Sequence, residues 1–84
     1  MERNDVLLMV QKIFRDILDN GDIILTKETI ADDVEEWDSL THIQLIVAIE
    51  KKFNIKFTSR EILSWKNVGE IVDAILKRED SAWK

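Results

Sequence analysis

At 84 residues, 45% of them apolar, the chain supports one core and not two, because a fold of this size buries only about 60% of its unfolded surface. The absence of cysteine and the single histidine exclude a disulfide framework and a zinc site of the usual kind, and suit a reducing cytosol. The formal net charge of -5 argues against a nucleic-acid partner, which needs a clustered basic surface.

The N-terminus, Met1 to Asp5, is polar and no long apolar run follows it, so neither a secretion signal nor a membrane span is expected and the location is read as cytoplasmic. Asn4 or Asp5 is a candidate cap for a first helix over about 5–19. In it Val6, Val10, Ile13, Phe14, Ile17 and Leu18 recur at helical spacing and face the core, until Asn20 and Gly21 stop the helix. The connection from Gly21 to Asp38 is long for so small a domain, and structureless loops of that length are usually functional. Ile23, Ile24, Leu25, Ile30 and Val34 are expected to pin it down. Within it, Glu28 to Asp38 holds six acids and no base, whereas the other residues, with eleven acids and twelve bases, sum to +1. All of the net negative charge is therefore local. Such a patch steers basic partners, although most charge runs are simply solvated.

A second helix over about 39–53 is expected to start at Asp38, a favoured N-cap, because the residues SLTHIQLIVAIEKKF contain no breaker and Asn54 ends the run. Thr58 with Glu61 makes a capping box for a short third helix over about 59–65, through Ile62, Leu63 and Trp65. Asn67 with Glu70 repeats the signal for a fourth, over about 68–78, whose buried face is Val68, Ile71, Val72, Ile75 and Leu76. The tail 79–84 is expected to fray. Residues 1–84 thus read as a single all-α domain, a four-helix bundle with a long loop between helices 1 and 2 and a short third helix.

The second helix carries two apolar stripes when its residues are set at about 100° each. Leu45, Ile46, Ile49 and Phe53 form one. Leu40, Ile43 and Val47 form another roughly 140° away, too far round for a single core-facing band. The second stripe adjoins Ser39 and the acidic loop, the composition of an exposed docking strip with an acidic rim, unless loop residues such as Ile30 cover it. Ser39 is the first residue of this helix, where unpaired backbone N–H groups and the positive end of the dipole favour an attached anion. Serine at a first turn is also common for capping reasons, so position alone carries little weight.

Asp38-Ser39-Leu40, followed by an apolar helix and Phe53, resembles the attachment motif of the acyl carrier protein family. The likeness extends through EWDSLTHIQLIVAIEKKFNIKF from Glu36 to Phe57, Glu61-Ile62 and Asn67-Val68-Gly69-Glu70-Ile71-Val72, and so covers essentially the whole domain. It implies a stand-alone, monomeric carrier and not an enzyme, with no catalytic or metal-ligating residues of its own. A covalent 4'-phosphopantetheine on Ser39 would hold acyl or aminoacyl cargo as a thioester. It further implies a separate holo-carrier-protein synthase that uses coenzyme A and magnesium, with Asp38 presenting the site, and an acyl-loading ligase or synthase and downstream transferases as later partners. Leu40, Ile43 and Val47 match partner-contacting positions, with Glu35, Glu36 and Glu50 as their acidic neighbours. Membrane and nucleic acid are not expected as partners.

Some features depart from the family pattern. The second helix offers Thr41, His42 and Gln44 near the site and Lys51 and Lys52 further on, where carriers of bulk fatty acid synthesis have acids. Glu36 stands where related sequences often have glycine. These differences favour a dedicated carrier in a specialised lipid, polyketide or related pathway. Trp37 is read as packing, and His42 as a hydrogen-bonded boundary residue, since Ser39 and His42 lack the Gly-x-Ser-x-Gly elbow of a hydrolase. His42 would also make any acyl shelter inside the bundle less apolar. An aminoacyl or peptidyl carrier of the same fold, and an unmodified helical protein-interaction module, remain the alternatives.

A calcium loop starting at Asp32 or Asp33 fails, because Trp37 or Asp38 then falls where glycine is required. Divalent ions are still expected to relieve repulsion in the acidic segment. The melting temperature should therefore be higher in magnesium than in monovalent salt of matched ionic strength, and identical melting curves would contradict this.

Overall fold

Apolar residues four apart put Val6, Val10 and Phe14 on one side of a helix, and all three are fully buried. In the computed structural model, which describes residues 2–81, this segment is α1 (Arg3–Ile17). It begins earlier than expected. Glu2 is the N-cap and makes no side-chain capping bond, while Asn4 and Asp5 lie inside the first turn, where the Asp5 charge favours the helix dipole. The helix ends before 19. Asp19 takes a left-handed conformation at φ 53°, and Asn20 N–H returns to Arg15 O at 3.1 Å, so Asp19, not Gly21, makes the reversal.

Burial at every fourth residue drifts about 40° per step around α1 and carries Leu18 inward. Ile17 is left behind that drift and is 38% exposed, contrary to its expected place on the core stripe.

The connection to the next helix contains a 3-10 turn at Ala31–Asp33. Ile23, Leu25, Val34 and Trp37 are buried and pin it to the core. Ile24 and Ile30 were expected beside them but are exposed. The chain around Ile24 alternates inward and outward as extended backbone does, and Ile30 enters the 3-10 turn with its N–H bonded to the Asp33 carboxylate.

α2 (Ser39–Phe53) buries Leu45, Ile46, Ile49 and Phe53 and stops where Asn54 adopts the left-handed region at φ 55°. α3 (Ser59–Ser64) starts at Thr58, whose hydroxyl accepts Glu61 N–H while the Glu61 carboxylate accepts Thr58 N–H. α4 (Val68–Ser81) buries Val68, Ile71, Val72 and Ile75, with Leu76 half-buried. It continues past 78 to Ser81, so part of the tail expected to fray is helical; residues 82–84 lie outside the described residues. α1 packs against both α2 and α4. No helix among the described residues is long and apolar enough to cross a membrane.

The start of α4 is docked on the loop. Val68 N–H donates to Thr29 O at 2.8 Å and Gly69 N–H to Lys27 O at 2.9 Å, which satisfies amides that a helix start otherwise leaves open. A Cβ at Gly69 would lie 2.7 Å from Lys27 O, whereas one at Gly21 would meet nothing within 4 Å. Gly69→Ala should therefore destabilise the protein by about 1–3 kcal/mol in urea unfolding, despite the better helix propensity of alanine. Gly21→Ala should be neutral or stabilise by about 0.4–1 kcal/mol.

Candidate cofactor-attachment site

The junction between loop and α2 is held from below by the packing of Trp37 on Phe14. The Trp37 indole is buried edge-on against Phe14, with ring centres 4.9 Å apart at 86°, and Trp37 N–H donates to Val34 O at 3.0 Å. The next residue, Asp38, is extended and caps α2. One of its carboxylate oxygens accepts from Leu40 N–H at 3.0 Å and Thr41 N–H at 2.9 Å. Thr41 reciprocates, its hydroxyl accepting Asp38 N–H at 2.8 Å and donating to Glu36 O at 2.9 Å. The N–H and hydroxyl of Thr41, with the N–H of Leu40, hold the Asp38 carboxyl below the ordinary carboxylate range.

Ser39 follows as the first, exposed residue of α2, and its hydroxyl has no hydrogen-bond partner among the described residues. The open amides expected beside Ser39 are already engaged. The first-turn amides of Leu40 and Thr41 are taken by Asp38, so Ser39 faces the positive end of the helix but not a set of open N–H groups. A free hydroxyl on a solvent-facing helix tip nevertheless fits a covalently attached phosphate.

The second stripe of α2 is open to solvent, with Leu40 69%, Ile43 50% and Val47 43% exposed, and Ile30 does not close over it. Glu35 is exposed; Glu36 is half-buried and accepts a hydrogen bond from Asn20 Nδ2 at 2.9 Å. Glu50 is half-buried near the far end of α2, where its carboxylate accepts Phe57 N–H at 2.9 Å. The structure thus brings Ser39, Asp38, Leu40, Glu35 and Glu36 to the start of α2 and leaves Glu50 bracing the turn into α3. The described ion pairs, Arg3–Asp73 and Arg78–Glu61, both lie outside the acidic loop. No group of three acids or imidazoles among the described residues is arranged to hold a metal ion.

Neither nitrogen of His42 is available to Ser39. Nδ1 accepts from Trp37 Nε1 at 3.1 Å and Nε2 pairs with Ile62 O at 3.2 Å, which removes the Ser-His reading. Two parts of the site escape sequence reasoning. Thr41 closes the capping box from a position where Glu or Gln is the usual signal, and the Trp37–His42 bond has no spacing rule that would announce it.

Residues 10–75 match the family model described as the phosphopantetheine attachment site. Among solved structures, a holo acyl carrier protein from Geobacter metallireducens, determined by solution NMR, is 40% identical in sequence with a TM-score of 0.86. The match covers 92% of this chain and 88% of that one. A search of curated proteins finds no match. The chain belongs to the acyl carrier protein family, whose shared feature is the phosphopantetheine attachment domain. It is a carrier and not an enzyme, it bears a covalent 4'-phosphopantetheine, and it works with partner enzymes.

A folded-state carboxyl that titrates below its unfolded value stabilises the fold above the unfolded pKa and loses that contribution as pH falls through the folded one. Asp38→Asn keeps an oxygen to cap α2 but removes the charge. The melting temperature of the parent should exceed that of Asp38→Asn at neutral pH, and the gap should close below about pH 4. Glu61, also lowered, chiefly by the backbone N–H of Thr58, titrates in both proteins and drops out of the difference. A gap that stays constant through the acid range would contradict the charge-based account.

Proposed function

We propose that Ser39 is the residue that bears the phosphopantetheine and that acyl cargo is carried on it as a thioester. The observation that carries this reading is the exposed, unpartnered Ser39 hydroxyl at the first position of α2, directly after the Asp38 cap. In loading, Ser39 Oγ bonds to phosphorus in the pyrophosphate of coenzyme A. The phosphorus–oxygen bond to the nucleotide half breaks, and the serine proton passes to a base on a magnesium-dependent holo-synthase. This chain supplies the nucleophile and its presentation. When bound, the arm supplies the thiol to which cargo is attached.

Leu40, Ile43 and Val47 form the docking strip, with Glu35 and Glu36 at its acidic end. Support comes from their exposure and from the open groove that Asn20, Asp22, Asp33, Glu35 and Glu36 line nearby, which attracts basic partner surfaces. Glu50, engaged with Phe57, stands at the other end of α2 and serves the turn before it serves any partner. The acidity of the loop, set against the neutral Thr41, His42 and Gln44 on α2, supports a dedicated biosynthetic pathway with its own ligase or synthase and transferases. A monomeric single domain working in the cytoplasm accords with the charge and with the one continuous core.

Incubation with coenzyme A, magnesium and a broad-specificity holo-synthase should add one phosphopantetheine by intact mass. Ser39→Ala should abolish the increment, while Ser59→Ala and Ser64→Ala retain it. An unchanged mass for the parent would leave only a helical interaction module.

A further inference from the structure

α3 differs from the other helices in how it is held. It is six residues long and none of them is fully buried, so its apolar anchorage is limited to the half-buried Ile62 against the core. Two of its anchors lie toward α4 and its own flanks: the Arg78–Glu61 ion pair, and the edge contact of Phe57 with Trp65, centres 4.9 Å apart, over which Arg78 also sits. The described hydrogen bond that joins α3 to α2 comes from His42, through the carbonyl of Ile62.

The hydrogen-bond chemistry of that link is determined by its neighbour. Indole Nε1–H is a donor only, so His42 Nδ1, 3.1 Å away, must accept, and the ring proton must then sit on Nε2. That is the tautomer able to donate to Ile62 O at 3.2 Å. The other tautomer would set N–H against N–H at Trp37 and a lone pair against the carbonyl. The rings also stack, with centres 5.9 Å apart and planes 23° apart, so moving the indole moves the imidazole.

We infer that Trp37 and His42 form a relay that couples the attachment junction to α3: Trp37 selects the imidazole tautomer, and the imidazole docks α3 through Ile62. Trp37 lies between Glu36 and Asp38 in the chain, so an enzyme that engages the acidic loop acts beside the relay's first member. Displacing Trp37 releases the tie and frees α3, with its 81% exposed Leu63, to shift; by reciprocity, displacing α3 alters Trp37. The relay rests on the proposed reading only for what displaces Trp37. Its members are positioning residues and touch no cargo.

The test uses the full chain carrying Ser39→Ala, which takes no arm, so its result is independent of the loading experiment. His42→Phe keeps a ring against Trp37 and removes both nitrogens, and Trp37→Phe keeps an aromatic edge on Phe14 and removes the donor. The readouts are solvent exchange of the Ile62, Leu63 and Ser64 amides and the 15N shifts of the His42 ring at about pH 8, where a free imidazole is neutral. Each single variant should speed α3 exchange about five- to tenfold while the buried amides of α1 and α4 keep their parental rates. The double variant should be no faster than the faster single. The ring shifts should show the Nε2–H tautomer in the parent and a mixture in Trp37→Phe. Unchanged α3 exchange in His42→Phe, unchanged ring shifts in Trp37→Phe, or additive effects in the double variant would each overturn the relay. If Trp37→Phe loosens α1 as well, a benzothiophene analogue at position 37, which keeps the indole's shape but lacks the N–H, replaces it with the same expectations.

Discussion

The packing of Trp37 on Phe14 is the contact on which the candidate site depends. Phe14 is fully buried in the last turn of α1, and the indole of Trp37 meets it edge-on at 4.9 Å. Fixing a residue in the core immediately before Asp38 determines where α2 starts, because the cap follows with no slack between them. The charged stretch before Trp37 then has no choice but to lie on the surface beside the site. A loop of this length would otherwise be free to wander, since the entropy of closing it grows only slowly with length. Burial of Ile23, Leu25, Val34 and Trp37 and the two hydrogen bonds into α4 hold it to one path.

The bundle distributes its apolar surface unequally. α1 packs against α2 and α4, and the buried faces of these three helices supply most of the core. That leaves α2 with a second apolar stripe the fold does not need. Leu40, Ile43 and Val47 remain in water although each would contribute about 1.5–3 kcal/mol if buried. Such exposure is disfavoured in a chain that acts alone and expected in one that meets successive partners through one helix face. α3, with no fully buried residue, contributes only the half-buried Ile62 to the same core and leans on polar and aromatic contacts as well.

Helix order and the two faces of α2 were legible because they follow from periodicity, which a single helix obeys regardless of its neighbours. Asp38, Thr58, Asn67 and Asn54 were legible because capping chemistry is local. What could not be read depended on contacts between segments. Ile17 has the spacing of a core residue, but the buried line of α1 drifts past it, and nothing local distinguishes Ile24 and Ile30 from Ile23. Asp19 rather than Gly21 turns the chain, since the last turn of α1 closes before the glycine is reached. The need for glycine at 69 is visible only once Lys27 O lies against it. At the candidate site Ser39 and Asp38 stood out by motif and position. His42 reads as a hydrogen-bonded boundary residue and is one, but its partner and that of Thr41 were hidden, because Ile62 O and Glu36 O are backbone atoms that any sequence possesses.

The spending of first-turn amides on Asp38 bears on how an arm on Ser39 would behave. An anion at a helix N-terminus is usually gripped by open N–H groups, as in phosphate-binding loops. Here Leu40 and Thr41 donate to Asp38, whose negative charge stands beside Ser39, so a phosphodiester on that hydroxyl would meet a neighbouring carboxylate and few donors. The positive end of α2 would offset part of the repulsion, and neither the Leu40 nor the Thr41 N–H is left to clamp the phosphate. A group held covalently at one atom and otherwise ungripped samples a wide volume. The same capping box that makes the start of α2 rigid would therefore leave an arm on Ser39 mobile, the combination a carrier requires to serve several active sites.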